Sequence, residues 1–171
     1  MADPIITTDR LILRRFEDAD LDAYFALLSH PKVSRWLLPV RTREEAMRNM
    51  AMMEGFWALR GSAMMAIIRR DSDALIGRCG PWRPEIAEGR DIEVGWALHP
   101  DHQGFGFATE AAQAATDWAF GALTPPRIVH MIAAENTASQ AVAARIGSRR
   151  TGETVPHPAA ERIEIWAQEA P

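Results

Sequence analysis

The chain has 171 residues, of which 47% are hydrophobic and 25% charged, and its formal net charge at pH 7 is −4. These values fit one globular domain over residues 1–171 that can bury a substantial core, and the acidic balance argues against a nucleic-acid partner. No apolar run is long enough to cross a membrane, so we expect no membrane partner.

The cysteine and histidine residues indicate the cellular compartment and whether a metal site is expected. Cys79 is the single cysteine, so no internal disulfide can form, and the start of the chain lacks a signal-peptide pattern. Both features favour a reducing, cytoplasmic compartment. The histidines are scattered without metal-ligand spacing, so we expect no metal site.

The N-terminal third of the chain predicts one strand and two helices. Leucines at alternate positions indicate a strand over residues 10–16, and an acidic N-cap with one apolar face indicates a helix over 19–29. Thr42 and Glu45 have the spacing of a capping box. A second helix is therefore expected over 43–60, ended by a glycine.

The middle of the chain predicts three strands in succession. Residues 63–70 and 75–82 form a hairpin around a turn of small and acidic residues. After a loop at 83–89, a strand over 91–98 places alternate apolar side chains on one face and Glu93 on the other. Consecutive strands of this kind favour an antiparallel meander.

The rest of the chain alternates helices and strands. The predicted elements are a helix over 105–120, a strand over 127–134, a helix over 135–147, a loop over 152–161 and a last strand over 162–168. The strand–helix–strand unit around the first of these helices needs a parallel crossover. The fold class is therefore an α/β or α+β domain with a mixed sheet.

The stretch HPDHQGFGFATEA, residues 99–111, joins a predicted strand to the long helix. Gly104 and Gly106 let a ligand approach the backbone without meeting a Cβ. The first N–H groups of the helix have no partner inside it and carry the positive end of its dipole, which suits a pyrophosphate. From the residues alone two interpretations stay open: an anion-binding loop, or glycines that only permit a tight turn.

The residue pattern of this loop favours the interpretation as an anion-binding loop. Residues 103–108, QGFGFA, fit the pattern Q-x-x-G-x-A and resemble the acyl-CoA loop of the GNAT superfamily of N-acetyltransferases. The longer string EVGWALHPDHQGFGFATEA is similar to the Rim-type branch, whose namesakes acetylate ribosomal-protein N-termini, although Gln103 and Phe105 stand where Trp and Lys are common. The stretches TDRLILRRFEDAD, HPKVSRWL and ENTASQAVAARIG are similar to further segments of that branch, so the resemblance covers residues 8–168.

The resemblance implies a single-domain GNAT fold, with a mostly antiparallel sheet of about seven strands flanked by about four helices. It also implies a V-shaped splay between the fourth and fifth predicted strands, where the pantetheine arm of acetyl-CoA lies. The residues implied to bind acetyl-CoA are Leu98, His99, Gln103, Gly104, Phe105, Gly106, Phe107, Ala108, Thr109, Asn136 and Ser139. Asn136 has a second explanation as the N-cap of its helix.

The implied reaction is acetyl transfer from acetyl-CoA to a primary amine, either a protein N-terminus or a small molecule, by direct attack in a ternary complex. The amine must first lose a proton, and Glu93 is the candidate base, directly or through a water. The alternative is a Glu93 carboxylate that is only solvated or only forms a salt bridge with an arginine. A backbone N–H near Ala97 or Leu98 is expected to stabilise the oxyanion.

The general acid is not evident from the sequence. Many superfamily members carry a tyrosine in the second crossover helix, but that segment reads VAAR here and the only tyrosine is Tyr24. Ser139 is the nearest substitute, with a helix-terminal hydrogen bond as its alternative role. The missing tyrosine keeps a catalytically silent acyl-CoA-binding or regulatory module open. A dinucleotide-binding enzyme is a weaker alternative, because Thr109 replaces the third glycine of that motif.

The acceptor pocket has two candidate side chains, Trp36 and Trp82. Cys79 is expected to be a core residue and not a nucleophile. The identity of the amine acceptor stays open, and a homodimer is compatible with the fold.

Overall fold

The computed structural model describes residues 4–37, 39–82, 91–157 and 160–170. The strands are β1 (Pro4–Thr7), β2 (Leu11–Arg14), β3 (Met65–Arg69), β4 (Leu75–Trp82), β5 (Ile92–Leu98), β6 (Arg127–Ala133), β7 (Arg149–His157) and β8 (Ala160–Glu169). The helices are α1 (Leu21–Ser29), α2 (Pro31–Ser34), α3 (Arg43–Arg60), α4 (Phe107–Leu123) and α5 (Thr137–Arg145), with short 3-10 turns at Asp18–Asp20 and Pro100–His102.

The described strands form one mixed sheet in the order β1-β2-β3-β4-β5-β6-β8-β7. Neighbouring strands run antiparallel except β5 and β6, which are connected through α4 and run parallel. This arrangement confirms the predicted α/β fold class. One parallel pair among the described strands is not the parallel sheet of a dinucleotide-binding domain, so the fold does not support that alternative.

Two expectations need correction at the edges of the sheet. The sheet has eight described strands, because the unpredicted β1 adds four residues that pair with β2. The segment 152–161, expected as a loop, lies largely in β7, which pairs with β8; residues 158–159 lie outside the described chain. β7 is an edge strand with mostly polar, exposed residues, so its composition resembles that of a loop.

Helix α3 shows how local signals fix an element. The Thr42 hydroxyl accepts the N–H of Glu45 at 3.1 Å, and the Glu45 carboxylate accepts the N–H of Thr42 at 3.3 Å. Gly61, at φ 70°, ends the helix in the left-handed region, which glycine adopts without a Cβ clash. The helix therefore spans the residues that the sequence predicts.

The sheet separates two hydrophobic clusters because side chains alternate along each strand. One face packs against α4, whose alanines let the helix approach closely; its buried residues include Leu11, Leu13, Met65, Ile67, Val94, Ala111 and Ala115. The other face packs against α1 and α3; its buried residues include Tyr24, Leu27, Met50, Met53, Ala66 and Ile68. Cys79 is fully buried in the first cluster, where burial raises the pKa of its thiol, as expected for a core cysteine.

A buried ion pair fastens β2 to the start of α1. The Arg14 guanidinium binds both carboxylate oxygens of Asp20, at 2.7 and 2.8 Å, and the two side chains are only 7% and 6% exposed. Asp20 also accepts the Glu17 N–H at 2.8 Å. Because both charges are out of water, each depends on the other for its compensation.

We expect Asp20→Ala to lower the free energy of unfolding by about 3–5 kcal/mol, since it removes the bidentate partner of the buried Arg14 guanidinium and leaves the longer contact to Glu17, at 3.7 Å. The matched control is Asp22→Ala, which removes a carboxylate that pairs with Arg43 at the exposed surface, where such pairs are worth at most about 1 kcal/mol. Urea unfolding of both variants measures the difference. Equal losses would contradict the structural role assigned to the buried pair.

Candidate active site

The sheet opens between β5 and β6. Their parallel pairing comprises Ile92↔Ile128 and Glu93↔Val129, after which β5 continues to Leu98 without a partner on this side among the described strands. This is the splay expected between the fourth and fifth predicted strands, renumbered because β1 precedes them. The fold therefore exposes one backbone edge of β5 to a cleft.

A cavity of about 780 Å³ occupies this cleft. It is lined by Lys32, Val33, Trp36, Leu37, Trp96, Ala97, Leu98, Gln103, Gly104, Gly106, Phe107, Ala108, Thr109, Glu110, Asn136, Ala138, Ser139, Ala141, Val142 and Arg145. Nine of the eleven residues implied to bind acetyl-CoA are in this set; His99 and Phe105 lie beside the cavity without lining it. The structure thus brings the strand, the glycine loop and α5 to one place.

The alternation of β5 decides which backbone groups face the cleft. The His99 N–H donates to the Ile76 carbonyl of β4 at 2.8 Å, so odd-numbered residues direct their backbone groups towards β4. Even-numbered residues then face the cleft, and the Leu98 carbonyl accepts Nε2 of Gln103 there at 3.0 Å. Of the two expected oxyanion donors, Leu98 and not Ala97 presents its N–H to the cavity.

The glycine loop lies opposite this edge. Gly104 and Gly106 have φ values of 85° and 83°, which glycine adopts more readily than any other residue, so the turn itself favours glycine at both positions. A Cβ at Gly104 would meet nothing within 4 Å, and one at Gly106 would meet only the Arg10 guanidinium, at 3.4 Å. The loop therefore makes a tight turn and also leaves open space beside its N–H groups, so the two interpretations of the glycines are compatible.

Contacts from the β1–β2 turn fix the loop. Nε of Arg10 donates to the Glu110 carboxylate at 2.7 Å, and Nη1 donates to the Phe105 carbonyl at 2.9 Å. The Thr8 hydroxyl donates to Glu110 at 2.6 Å. The Arg10 guanidinium also lies 4.5 Å from the centre of the Phe107 ring. A cation therefore stands at this loop although Phe105 occupies the position where Lys is common in the Rim-type branch.

Helix α5 forms the wall on the β6 side. Asn136 caps the helix by accepting the Ser139 N–H on Oδ1 at 3.1 Å, and both residues line the cavity. The cap was one of two explanations for Asn136, and its side-chain nitrogen has no hydrogen-bond partner among the described residues, so it stays available to a ligand. Small residues follow along the helix, so this wall is smooth until Arg145 at its end.

The charges lining the cavity favour an anionic ligand. Lys32 and Arg145 are exposed cations at its rim, whereas Glu110, the single carboxylate among the lining residues, is paired with Arg10. Trp36 lines the same rim, as expected for a pocket side chain. Sequence reasoning missed Lys32 and Arg145, because only the fold brings these two residues from separate stretches of the chain to one cleft.

Glu93 lies outside the cavity, on the opposite face of β5. Burial raises the pKa of its carboxyl group to about 7, against the opposing effects of the Met131 backbone N–H in β6 and of the Arg78 charge. Trp82 pairs with Glu93 across β4 and β5 and packs on Phe56, so it does not line the cavity either. A carboxyl group with a pKa near neutrality can exchange protons at physiological pH.

A membrane-spanning helix and a metal-binding cluster are both absent from the part of the chain that the structure describes. No helix there combines the length and the apolar character needed to cross a membrane. Nor do three or more His, Cys, Asp or Glu side chains of these segments meet where they could hold a metal ion.

Comparisons with known proteins agree with this geometry. The family described as acetyltransferase (GNAT) domain matches residues 10–149. The chain is 32% identical over 152 residues to an uncharacterized N-acetyltransferase, YoaA, of Bacillus subtilis, a match that covers 87% of this chain and 85% of that protein. The crystal structure of an acetyltransferase from Agrobacterium tumefaciens matches with a TM-score of 0.83 at 28% identity, over 99% of this chain and 96% of the other.

The fold also occurs in a ribosomal-protein acetyltransferase. The structure of RimL, an acetyltransferase of ribosomal L7/L12 solved in complex with coenzyme A, matches with a TM-score of 0.81 at 18% identity, over 98% of each chain. That likeness shows the fold and is consistent with the Rim-type resemblance. Because the family match spans most of the sequence, the chain belongs to the GNAT family of acetyltransferases.

Proposed function

We propose that this GNAT acetyltransferase transfers the acetyl group of acetyl-CoA to a primary amine, of a protein N-terminus or a small molecule, by direct attack in a ternary complex. The observation that carries the proposal is the cleft itself: the free backbone edge of β5 faces a glycine loop at the start of α4. GNAT acetyltransferases use acetyl-CoA, and the structural relative RimL was solved with coenzyme A.

The residues of the cleft fit this co-substrate. The N–H groups of residues 104–109 would hold the pyrophosphate at the positive end of the α4 dipole. The exposed cations Lys32 and Arg145 add positive charge at the rim. The pantetheine amides would pair with the backbone of Leu98 and with the side-chain nitrogen of Asn136. Gln103 contributes by tying the loop to the Leu98 carbonyl.

Two groups of the chain would perform the chemistry, for which acetyl-CoA supplies an activated acetyl group. The Leu98 N–H would bind the thioester oxygen as it gains negative charge. Glu93 would accept the proton of the attacking amine, and because its carboxylate lies on the other face of β5, a water would relay that proton. A pKa near 7 suits this role, since the group is then ionised and still basic at neutral pH.

Ser139 is our candidate proton donor to the departing thiolate. Two observations support this role: Ser139 lines the cavity, and its N–H donates to the Asn136 cap in the first turn of α5. Tyr24 cannot replace it, because the Tyr24 hydroxyl is buried on the far side of the sheet between Asn49 and Arg78. A thiolate with a pKa of about 8.5, by analogy with cysteine, also leaves readily without a strong acid.

The second candidate is a catalytically silent acyl-CoA-binding module. One observation favours it: no tyrosine stands in α5. Such a module would bind CoA without consuming acetyl-CoA in the presence of any amine. An amine screen that follows CoA release separates it from the enzyme.

Gly104→Asn tests the anion-binding role of the loop. Asparagine tolerates positive φ better than other residues with a side chain, so we expect an unchanged fold. Its side chain would fill the open space beside the N–H groups, so CoA should bind at least about tenfold more weakly, a loss of about 1.4 kcal/mol. Titration calorimetry measures the affinity, and thermal melting checks the fold.

The matched control for this variant is Gly61→Asn. Gly61 also has a positive φ, of 70°, and a Cβ added there would meet nothing within 4 Å, but it lies at the end of α3 and away from the cleft. This control should leave CoA affinity unchanged. If Gly104→Asn folds and binds CoA as tightly as the control does, the glycines serve only the turn.

Glu93→Gln tests the base. The glutamine keeps an oxygen that can accept the Met131 N–H, but it cannot take up a proton, so kcat/KM should fall by about 10²- to 10⁴-fold. In the unchanged protein the rate should be half-maximal at about pH 7 and level off above it, because the carboxylate must be ionised to act. The Glu93→Gln variant should lack this rise in rate with pH.

The matched control is Glu54→Gln, which changes a partly exposed carboxylate paired with Arg15. It should keep the wild-type pH profile. A Glu93→Gln enzyme with wild-type rate and profile would remove Glu93 from the mechanism.

A further inference from the structure

The β5–β6 ladder ends where a side chain takes the place of a backbone hydrogen bond. In a parallel ladder continued by one step from Glu93↔Val129, the Val94 carbonyl would accept the Met131 N–H. Neither group does so. The Val94 carbonyl instead lies 2.6 Å from Nδ1 of His130. A side chain of β6 therefore takes the place of the backbone hydrogen bond with which the ladder would continue.

The environment of His130 fixes the state of its ring. The side chain is 1% exposed and Val94 is fully buried, so an unpaired carbonyl there would be costly. A carbonyl can only accept, so Nδ1 carries the proton. Nε2 has no partner among the described residues, and burial lowers the pKa of His130 to about 4, so the ring is neutral.

The position of His130 links it to the cavity. Its ring lies 5.0 Å from the ring of Trp96, which lines the cleft, and Trp96 is the next residue after Val94 whose backbone groups face that side. If the ladder continued past Val94, the N–H groups of Trp96 and Leu98 would be the next to be covered by β6.

We propose that His130 is a positioning residue for acetyl transfer: by donating Nδ1–H to the Val94 carbonyl, it ends the ladder and keeps the Trp96 and Leu98 N–H groups free for the acyl donor. The inference rests on the proposed function. It gives His130 a role through the backbone of β5 and no contact with the reacting atoms.

Three substitutions separate this role from that of a core side chain. In His130→Asn the amide nitrogen falls near the position of Nδ1 and can still donate to Val94. In His130→Gln the amide lies one carbon further out, near the position of Nε2, and His130→Leu fills the space with no donor. A residue that only fills volume would favour glutamine or leucine over the smaller asparagine.

We expect His130→Asn to keep kcat close to wild type, and His130→Leu and His130→Gln to lose about 100-fold in kcat, the effect of misplacing a reacting group by roughly 1 Å. The CoA dissociation constant should change much less, since the phosphate contacts lie on the glycine loop. Thermal melting of all three variants checks the fold. Equal kcat values in the Asn and Leu variants would overturn the proposal.

Nitrogen NMR of the wild-type ring keeps the test decisive if a variant does not fold. The spectrum should show a neutral ring with the proton on Nδ1 between about pH 5 and 8; a proton on Nε2 or a charged ring would overturn the proposal. Loss of the proposed function itself has a separate signature: the wild-type protein would bind CoA and release none from acetyl-CoA with any amine.

Discussion

The active site depends on the short length of one strand pairing. β5 and β6 pair over two residue positions and then diverge, and every backbone group beyond that point needs another partner or a ligand. The cleft cannot close easily, because β4 holds the other edge of β5 from Glu93 to Leu98 and β8 pairs with β6 from Arg127 to Ala133. Two rigid antiparallel sheets thus meet at a V, and the cavity is a preformed consequence of their divergence.

The glycine loop is organised in the same way before any ligand binds. Arg10 and Thr8 hold the first turn of α4 through Glu110, across about a hundred residues of sequence. These contacts hold the loop beside the cleft, so a ligand that binds there would not have to order it. The chain carries a net charge of −4, yet the cavity rim carries Lys32 and Arg145. The local field, and not the overall charge, decides which ligand this site favours.

The sequence predicted what is encoded locally. The capping box predicted α3 to the residue, and the glycine loop predicted the start of α4 within two residues, because both signals lie within a few positions of the backbone they control. β1 and β7 were missed, since an edge strand is defined by the strand it pairs with. The roles of Arg10, Met131 and His130 were missed for the same reason: their partners lie 36 or more positions away, or across a register that only the folded sheet defines.

Along β5 both the backbone groups and the side chains alternate in direction, and this alternation separates the roles of its residues at the site. A residue whose backbone faces β6 places its side chain on the α4 face, as Trp96 and Leu98 do, whereas Glu93 and Gly95 place theirs on the α1 and α3 face. Gly95 makes room for the Met64 side chain on that face. A Cβ at this position would lie only 2.8 Å from the terminal methyl of Met64 and 3.7 Å from the Glu93 carboxylate. The proposed base therefore lies on the face of β5 opposite the acyl-donor cavity and does not compete with it for space. In the proposed ternary complex, an amine would approach from the side of Glu93 while the acetyl group is held along the free edge of β5.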